Sequence, residues 1–247
     1  MSAERERREI LIAAIADLLD GIRHVAVGAS SPIPAAGAML LRARNELCGK
    51  PAVRISILGS QAHNFFTNGG IELFDCAAQG RVDAFFLGGG QIDGHGNINL
   101  VGTGEYPTTS VRWPGSFGSA YLYHLIPRVI LFREEHSPRV FVPKVDFVSA
   151  RAITPEVPRR GGPHALLTNM ALFDFDREAG GFALRSVHPP FTPADIREST
   201  GFAYQEPEVV RETPRPDAAT LSLLRGRVFE ELAETYPAFA RTMKQAA

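Results

Sequence analysis

The sequence predicts an α/β protein built on an open, mainly parallel sheet flanked by helices. Two observations carry that expectation. Between residues 4 and 87 the apolar pattern switches back and forth between helical period and short strand-like runs, in the order helix, strand, helix, strand, helix, strand. That alternation covers a parallel sheet with helices. The third strand then runs directly into Gly88-Gly89-Gly90, and the carboxyl ends of strands are where open α/β sheets place their ligands.

Each element has its own warrant. Ile10, Leu11, Ala14, Ile15, Leu18 and Leu19 form a stripe of period near 3.6 over residues 4–20, which Gly21 ends. His24–Gly28 reads as a buried strand, and Pro32 and Pro34 open a helix over 35–44. Val53–Leu58 is β-branched and brief, hence a strand. Residues 71–79 suit a helix ended by Gly80, and Val82–Leu87 a strand.

Beyond residue 90 the texture changes, with short strands expected at 129–132, 145–148, 165–168, 171–175 and 182–184. Arg177–Gly181 is a hairpin turn. Residues 151–163, rich in Pro, Gly and Arg, read as a mobile surface loop. Thr192-Pro193-Ala194-Asp195 opens a short helix. Leu221, Leu224 and Val228 share one face of a last helix. No clear domain boundary is visible, so residues 1–247 are expected to form a single domain.

Composition excludes several classes. With 26 Lys+Arg against 27 Asp+Glu, net charge −1, no basic excess exists to neutralise a phosphate backbone, and no nucleic-acid partner is expected. No apolar run approaches the ~20 residues of a membrane span. The N-terminus mixes Glu with Arg and has no apolar core of a leader, so a cytoplasmic protein is expected. Cys48 and Cys76 lack metal-type spacing, the seven histidines are scattered, and no metal is expected. Neither G-x-S-x-G nor G-x-x-x-x-G-K-[ST] occurs, which removes the α/β-hydrolase serine and the P-loop.

Two clusters remain. In Gly88-Gly89-Gly90-Gln91-Ile92-Asp93-Gly94-His95-Gly96-Asn97, consecutive glycines let a ligand approach the backbone. Gln91 and Asn97 add neutral donors and acceptors there. The same residues also suit a tight turn, with Asp93 closing it through its carboxylate. The second cluster, Pro114-Gly115-Ser116-Phe117-Gly118-Ser119-Ala120, opens a helix with small residues. It fits either an anion or oxyanion site or a close helix crossing. Trp113 beside Arg112 would stack a flat ligand or fill core.

At these clusters the sequence resembles the β subunits of the family I coenzyme A transferases, those of the glutaconate CoA-transferase type in particular. The resemblance rests on Gly89-Gly90-Gln91-Ile92-Asp93-x-x-Gly96-Asn97-x-Asn99 and Pro114-Gly115-Ser116-x-Gly118. It extends through Val140-x-x-Pro143-Lys144-Val145-Asp146-Phe147-Val148-Ser149, the segment Leu167–Phe175, and Thr200-Gly201-Phe202. It implies a Rossmann-like α/β fold and a CoA-transferase α-type partner, in an αβ pair that dimerises again, with the active site between the chains. The substrate is an acyl-CoA thioester, and no cofactor is bound permanently. Gly88, Gly89, Gly90, Gln91, Asp93, Asn97, Ser116, Gly118 and Ser119 are then the candidates for binding CoA, substrate and oxyanion.

In such transferases a β-chain glutamate at the end of the strand corresponding to 53–58 attacks the thioester. An acyl anhydride forms, then a glutamyl-CoA thioester. This chain instead reads Ile57-Leu58-Gly59-Ser60-Gln61-Ala62, so the family glutamate falls on Leu58 or Gly59. No base is evident beside Ser60, and the nearest acids in sequence, Glu46 and Glu72, lie on other elements. Gly-Ser-Phe-Gly-Ser replaces Gly-Ser-Gly-Gly-Ala, which narrows the cleft. Relatives without the glutamate decarboxylate a glutaconyl-type CoA ester or hydrolyse a ring of a CoA-linked steroid fragment. The expectation is thus a β subunit acting on acyl-CoA by hydrolysis or C–C cleavage. The alternatives are a true CoA transferase and a non-catalytic subunit that completes the α-chain pocket.

Overall fold

The computed structural model describes residues 3–67, 70–154 and 157–245. They pack as two compact units, the first formed by residues 1–76, 81–86 and 214–247 and the second by 77–80 and 87–213.

The first unit opens with α1 (Ala3–Leu18), β1 (His24–Val27), α2 (Pro32–Leu47), β2 (Arg54–Ile57), α3 (Gly70–Ala78) and β3 (Ala84–Leu87). β1 is the middle strand, parallel to both β2 and β3. α2 starts three residues earlier than the sequence suggests, because Pro32 sits in its first turn, where a missing N–H costs nothing. α1 and α2 pack closely at Gly37, where a Cβ would lie 2.3 Å from Ile15 Cγ2. Gly37→Ala is therefore expected to destabilise the protein by about 1–3 kcal/mol although alanine is the better helix former. A urea midpoint equal to or above that of the parent would contradict this packing.

The second unit begins with two small antiparallel hairpins, β4 (Gln91–Ile92) with β5 (Ile98–Asn99) and β6 (Gly102–Thr103) with β7 (Val111–Arg112). Next come α4 (Ser119–Leu125), β8 (Arg128–Arg133), β9 (Pro163–Thr168), β10 (Ala171–Asp176), β11 (Gly181–Val187), α5 (Pro193–Ser199) and β12 (Arg211–Glu212). β8 and β9 are parallel, β9–β10–β11 run antiparallel, and β11 and β12 are parallel again. The turn at 177–180 is the expected hairpin: Asp176 Oδ1 accepts the N–H groups of Glu178 and Ala179. Thr192 caps α5 in a capping box with Asp195. Val145–Val148, expected as a strand, is irregular, its backbone held by a side chain instead of a ladder. The described part of 151–163 has no strand before Pro163, and Pro155 and Glu156 lie outside the described residues.

The chain then returns to the first unit with α6 (Ala218–Leu223), a π-helical segment at Leu224–Val228, α7 (Phe229–Leu232) and α8 (Pro237–Gln245). The last helix read from the sequence is thus interrupted by one wide turn. Arg225 in that turn grips buried Glu9 of α1 with two bonds, Nε to Oε1 at 2.8 Å and Nη2 to Oε2 at 2.9 Å. Arg5 adds a third at 3.1 Å. The buried Glu9 carboxylate is thereby paired with buried Arg5 and with the partly exposed Arg225. Fold class is as the sequence implies: α/β, mainly parallel, with flanking helices.

Candidate functional site

The glycine-rich motif folds into the β4–β5 hairpin, where Gln91 stands opposite Asn99. Asn99, fully buried, donates through Nδ2 to Gln91 Oε1 and to Gly102 O, both at 2.7 Å. Gln91 Oε1 also accepts Asp146 N–H at 3.0 Å, and Gln91 Nε2 donates to Asp146 Oδ2 at 3.0 Å. Asp146 Oδ2 further accepts Gly104 N–H at 2.8 Å. One amide thus fixes both hairpins and the 145–148 segment, which explains why that segment needs no strand partner. Asp93 is equally committed: it accepts the N–H groups of His95 and Asn97 and the Asn97 side-chain amide, each at 3.1 Å. Gln91 and Asp93 are buried, so their part in any site is to shape the backbone around it. Burial and, after it, the Asp93 carboxylate hold the Tyr123 phenol well above its usual range, and Tyr123 donates its hydroxyl proton to Gly96 O at 2.7 Å.

The three glycines differ in what surrounds them. A Cβ at Gly90 would lie 2.3 Å from two ring carbons of Trp113. One at Gly89 would meet Gln91 O at 2.7 Å, and one at Gly88 would meet Phe132 O at 3.3 Å. The Gly90 N–H donates to Asn99 O at 2.8 Å and is spoken for. Trp113 therefore packs against the hairpin.

Four residues beyond Trp113, Phe117 adopts φ +35° and is 85% exposed. A left-handed aromatic residue on the surface stores strain that the adjoining turn must hold in place. Ser119 N–H donates to Ser116 O at 2.7 Å, and Gly118 is the N-cap of α4. Ser116, Gly118 and Ser119 thus form one tight turn that leads into α4.

Leu58 and Gly59 lie in the first unit, in the turn that leaves β2. Leu58 is half-buried, and Gly59 has φ +89° with open space around its Cβ position. A glutamate at 59 would fit sterically but in a backbone conformation that L side chains avoid. Ser60 does have a carboxylate beside it, which the sequence reading missed. Ser60 Oγ donates to Glu234 Oε2 at 2.7 Å, and Gln61 N–H donates to Glu234 Oε1 at 2.8 Å. Ala62 N–H points to the same oxygen at 3.4 Å, and Thr235 donates its hydroxyl. The Thr235 hydroxyl first, then Ser60 and the two backbone N–H groups, pull the Glu234 carboxyl down to about 2 against the cost of desolvation. Glu46 pairs with Arg227 and Glu72 with Thr67, so neither serves Ser60. With 174 positions between Ser60 and Glu234, no local spacing could have signalled the pair.

Among the described residues no cluster of three or more His, Cys, Asp or Glu side chains could hold a metal ion, and no helix is long and apolar enough to cross a membrane. Residues 52–199, more than half of the chain, match the family described as coenzyme A transferase. The chain belongs to the coenzyme A transferase family. Within it, the chain is 31% identical over 153 residues to the β-type subunit of 3-oxoadipate CoA-transferase from Pseudomonas knackmussii, covering 59% of this chain and 58% of that one. The chain therefore spans under two thirds of that relative's length. To the cholesterol ring-cleaving hydrolase IpdB subunit of Rhodococcus jostii it is 27% identical over 243 residues, 90% of this chain and 92% of that one. Among solved structures it resembles the decarboxylase AibA/AibB at 27% identity and a TM-score of 0.74, covering 89% and 93% of the two chains. In coenzyme A transferase terms, the matched stretch starts just before β2 and ends with α5. Glu234 lies outside it.

Proposed function

We propose that the chain is the β-type subunit of a two-chain enzyme that acts on an acyl-CoA thioester by hydrolysis or C–C cleavage, including decarboxylation, and not by CoA transfer. The observation that carries this reading is the turn after β2. It offers an aliphatic side chain at 58 and a left-handed glycine at 59 where transfer needs a covalent carboxylate. Likeness over nearly the whole chain to a hydrolase subunit and to a decarboxylase supports it.

In this reading residues 1–247 serve as one subunit-like domain, the partner is an α-type chain in an αβ pair that dimerises again, and the acyl-CoA is substrate with no resident cofactor. In this reading the enzyme works in the cytoplasm. Backbone N–H groups around Gly88, Gly89 and the Ser116–Ser119 turn face the thioester. Gly90, Gln91, Asp93 and Asn97 hold that backbone in shape, and the α chain supplies the catalytic acid. Donors fixed before reaction stabilise a developing oxyanion without reorganising.

Glu234 favours a second reading, a transferase with a displaced nucleophile. Its low basicity and four donors count against it, since attack would require leaving them. The test is co-expression with an α-type chain, following the loss of acyl-CoA and the products formed (free thiol, CO2 or a cleaved acyl-CoA) with and without an acceptor carboxylate. Turnover without acceptor is expected, together with an inactive isolated chain. Strict acceptor dependence, with a borohydride-trapped glutamyl-CoA thioester, would establish transfer instead.

A further inference from the structure

The six-residue stretch 231–236, beyond the family-matched region, sends three side chains to the carboxyl ends of β1 and β2. Tyr236 donates its hydroxyl proton to Gly28 O at 3.0 Å, in the turn leaving β1, and Ser31 N–H points to the Tyr236 hydroxyl oxygen at 3.4 Å. Glu231 binds His63 Nε2 at 2.9 Å and pairs with Arg42 of α2. Glu234 stands between them and gathers Ser60, Gln61, Ala62 and Thr235. Beside it, the Ser60–Ala62 turn is closed by His63 N–H, which donates to Ser60 Oγ at 2.9 Å. Ser60 N–H reaches Ile57 O at 3.2 Å, and Ile57 N–H reaches His63 O at 2.9 Å across the base of the turn. The next two N–H groups along the turn both go to the Glu234 carboxylate. Gly59, at φ +89°, sits at the head of this turn and adds freedom that some contact must remove.

Carboxyl ends of parallel strands are where α/β sheets put their ligands, and groups there act only if their geometry is held. We infer that Glu234 is a positioning residue for acyl-CoA turnover: its carboxylate fixes the turn after β2 in one shape and takes no part in bond making. This inference rests on the function proposed above. A fully engaged, weakly basic carboxylate suits a brace and not a nucleophile or general base.

The experiment compares Glu234→Gln and Glu234→Ala in the co-purified pair, reading kcat and KM for acyl-CoA, the pH–rate profile, and amide exchange at Gln61 and Ala62. Glutamine keeps an oxygen for the two backbone N–H groups. It is expected to hold kcat within about threefold of the parent and to leave the acid limb of the pH profile in place. Alanine is expected to lower kcat tenfold or more and to speed exchange at Gln61 and Ala62 at least tenfold. A glutamine variant as inactive as alanine, or a CoA adduct trapped on Glu234, overturns the inference in favour of direct catalysis. Unchanged exchange in the alanine variant overturns it outright. If the alanine variant does not fold, the glutamine variant alone decides by its kcat and pH profile. If the parent pair turns over no acyl-CoA, the proposed function fails, and the exchange measurement still decides whether Glu234 braces the turn.

Discussion

Lowering the pH from 7 to 4 is expected to cost the protein several kcal/mol of folding stability through two buried histidines. His136 lies between Thr168 Oγ1 at 2.8 Å and Thr200 Oγ1 at 2.9 Å. His188, with no exposed surface, meets Thr213 Oγ1 through Nδ1 at 2.7 Å. Phe141 packs edge-on against His136 at 4.6 Å between ring centres. Burial holds each imidazole neutral and pushes its pKa from 6.5 down to about 4, and the two disfavour each other's charge. An unfolded chain takes up protons as pH falls through 6.5, while the folded chain does not until about 4. Stability is therefore complete above 6.5, falls between the two values and levels off below. Each histidine contributes about 3 kcal/mol to that fall, and the pair titrates jointly. Carboxylates held low, Glu234 among them, lose their contribution only below about 4.5, so the interval from pH 6.5 to 5 reports histidines; burial also lowers His24, His124 and His164, which add to the fall with the same sign. Urea midpoints across that interval should drop steadily, and by less in His188→Gln. A flat profile would refute the assignment.

Gly90→Val is expected to destabilise the protein by about 3 kcal/mol before any question of ligand arises. The added Cβ would sit 2.3 Å from two carbons of the Trp113 ring and 2.7 Å from a third. The backbone cannot yield cheaply, because Gly90 N–H is bonded to Asn99 O and the Trp113 main-chain N–H to Val101 O, so relief requires displacing the half-buried indole ring. A double-mutant cycle tests the contact. Gly90→Ala alone should lower the melting temperature by several degrees, and Trp113→Leu in the same chain should return part of the loss. If Gly90→Val melts like the parent but no longer binds acyl-CoA, the glycine serves ligand approach and not the tryptophan.

That contrast shows where the sequence was readable. Periodicity found the helix–strand alternation because apolar spacing is a local property, and glycine exits marked the strand ends for the same reason. The QIDGHGN hairpin was visible as a tight structure, with Asp93 closing it as its position suggested. What stood over Gly90 was not visible, since Trp113 arrives from another hairpin. Val145–Val148 misled because β-branched residues flank an aspartate whose role is to bind Gln91. Glu234 was invisible from Ser60 because the contact depends on the whole chain having folded. The π turn at Leu224–Val228 kept the apolar face legible while hiding the break in the helix.

The make-up of the first unit bears on how the protein comes into being. That unit joins residues 1–76 and 81–86 to residues 214–247, and Glu9 of α1 is bound by Arg225. During synthesis the second unit, drawn from one nearly continuous stretch, can close as soon as it leaves the ribosome. The first cannot, because its last helices emerge last, and contacts so distant in sequence form slowly. Until then the part of α2 that the segment 224–232 covers stays open, although α1 and α2 already pack on each other. The growing chain is therefore most open to chaperone binding, and to aggregation, over its first third.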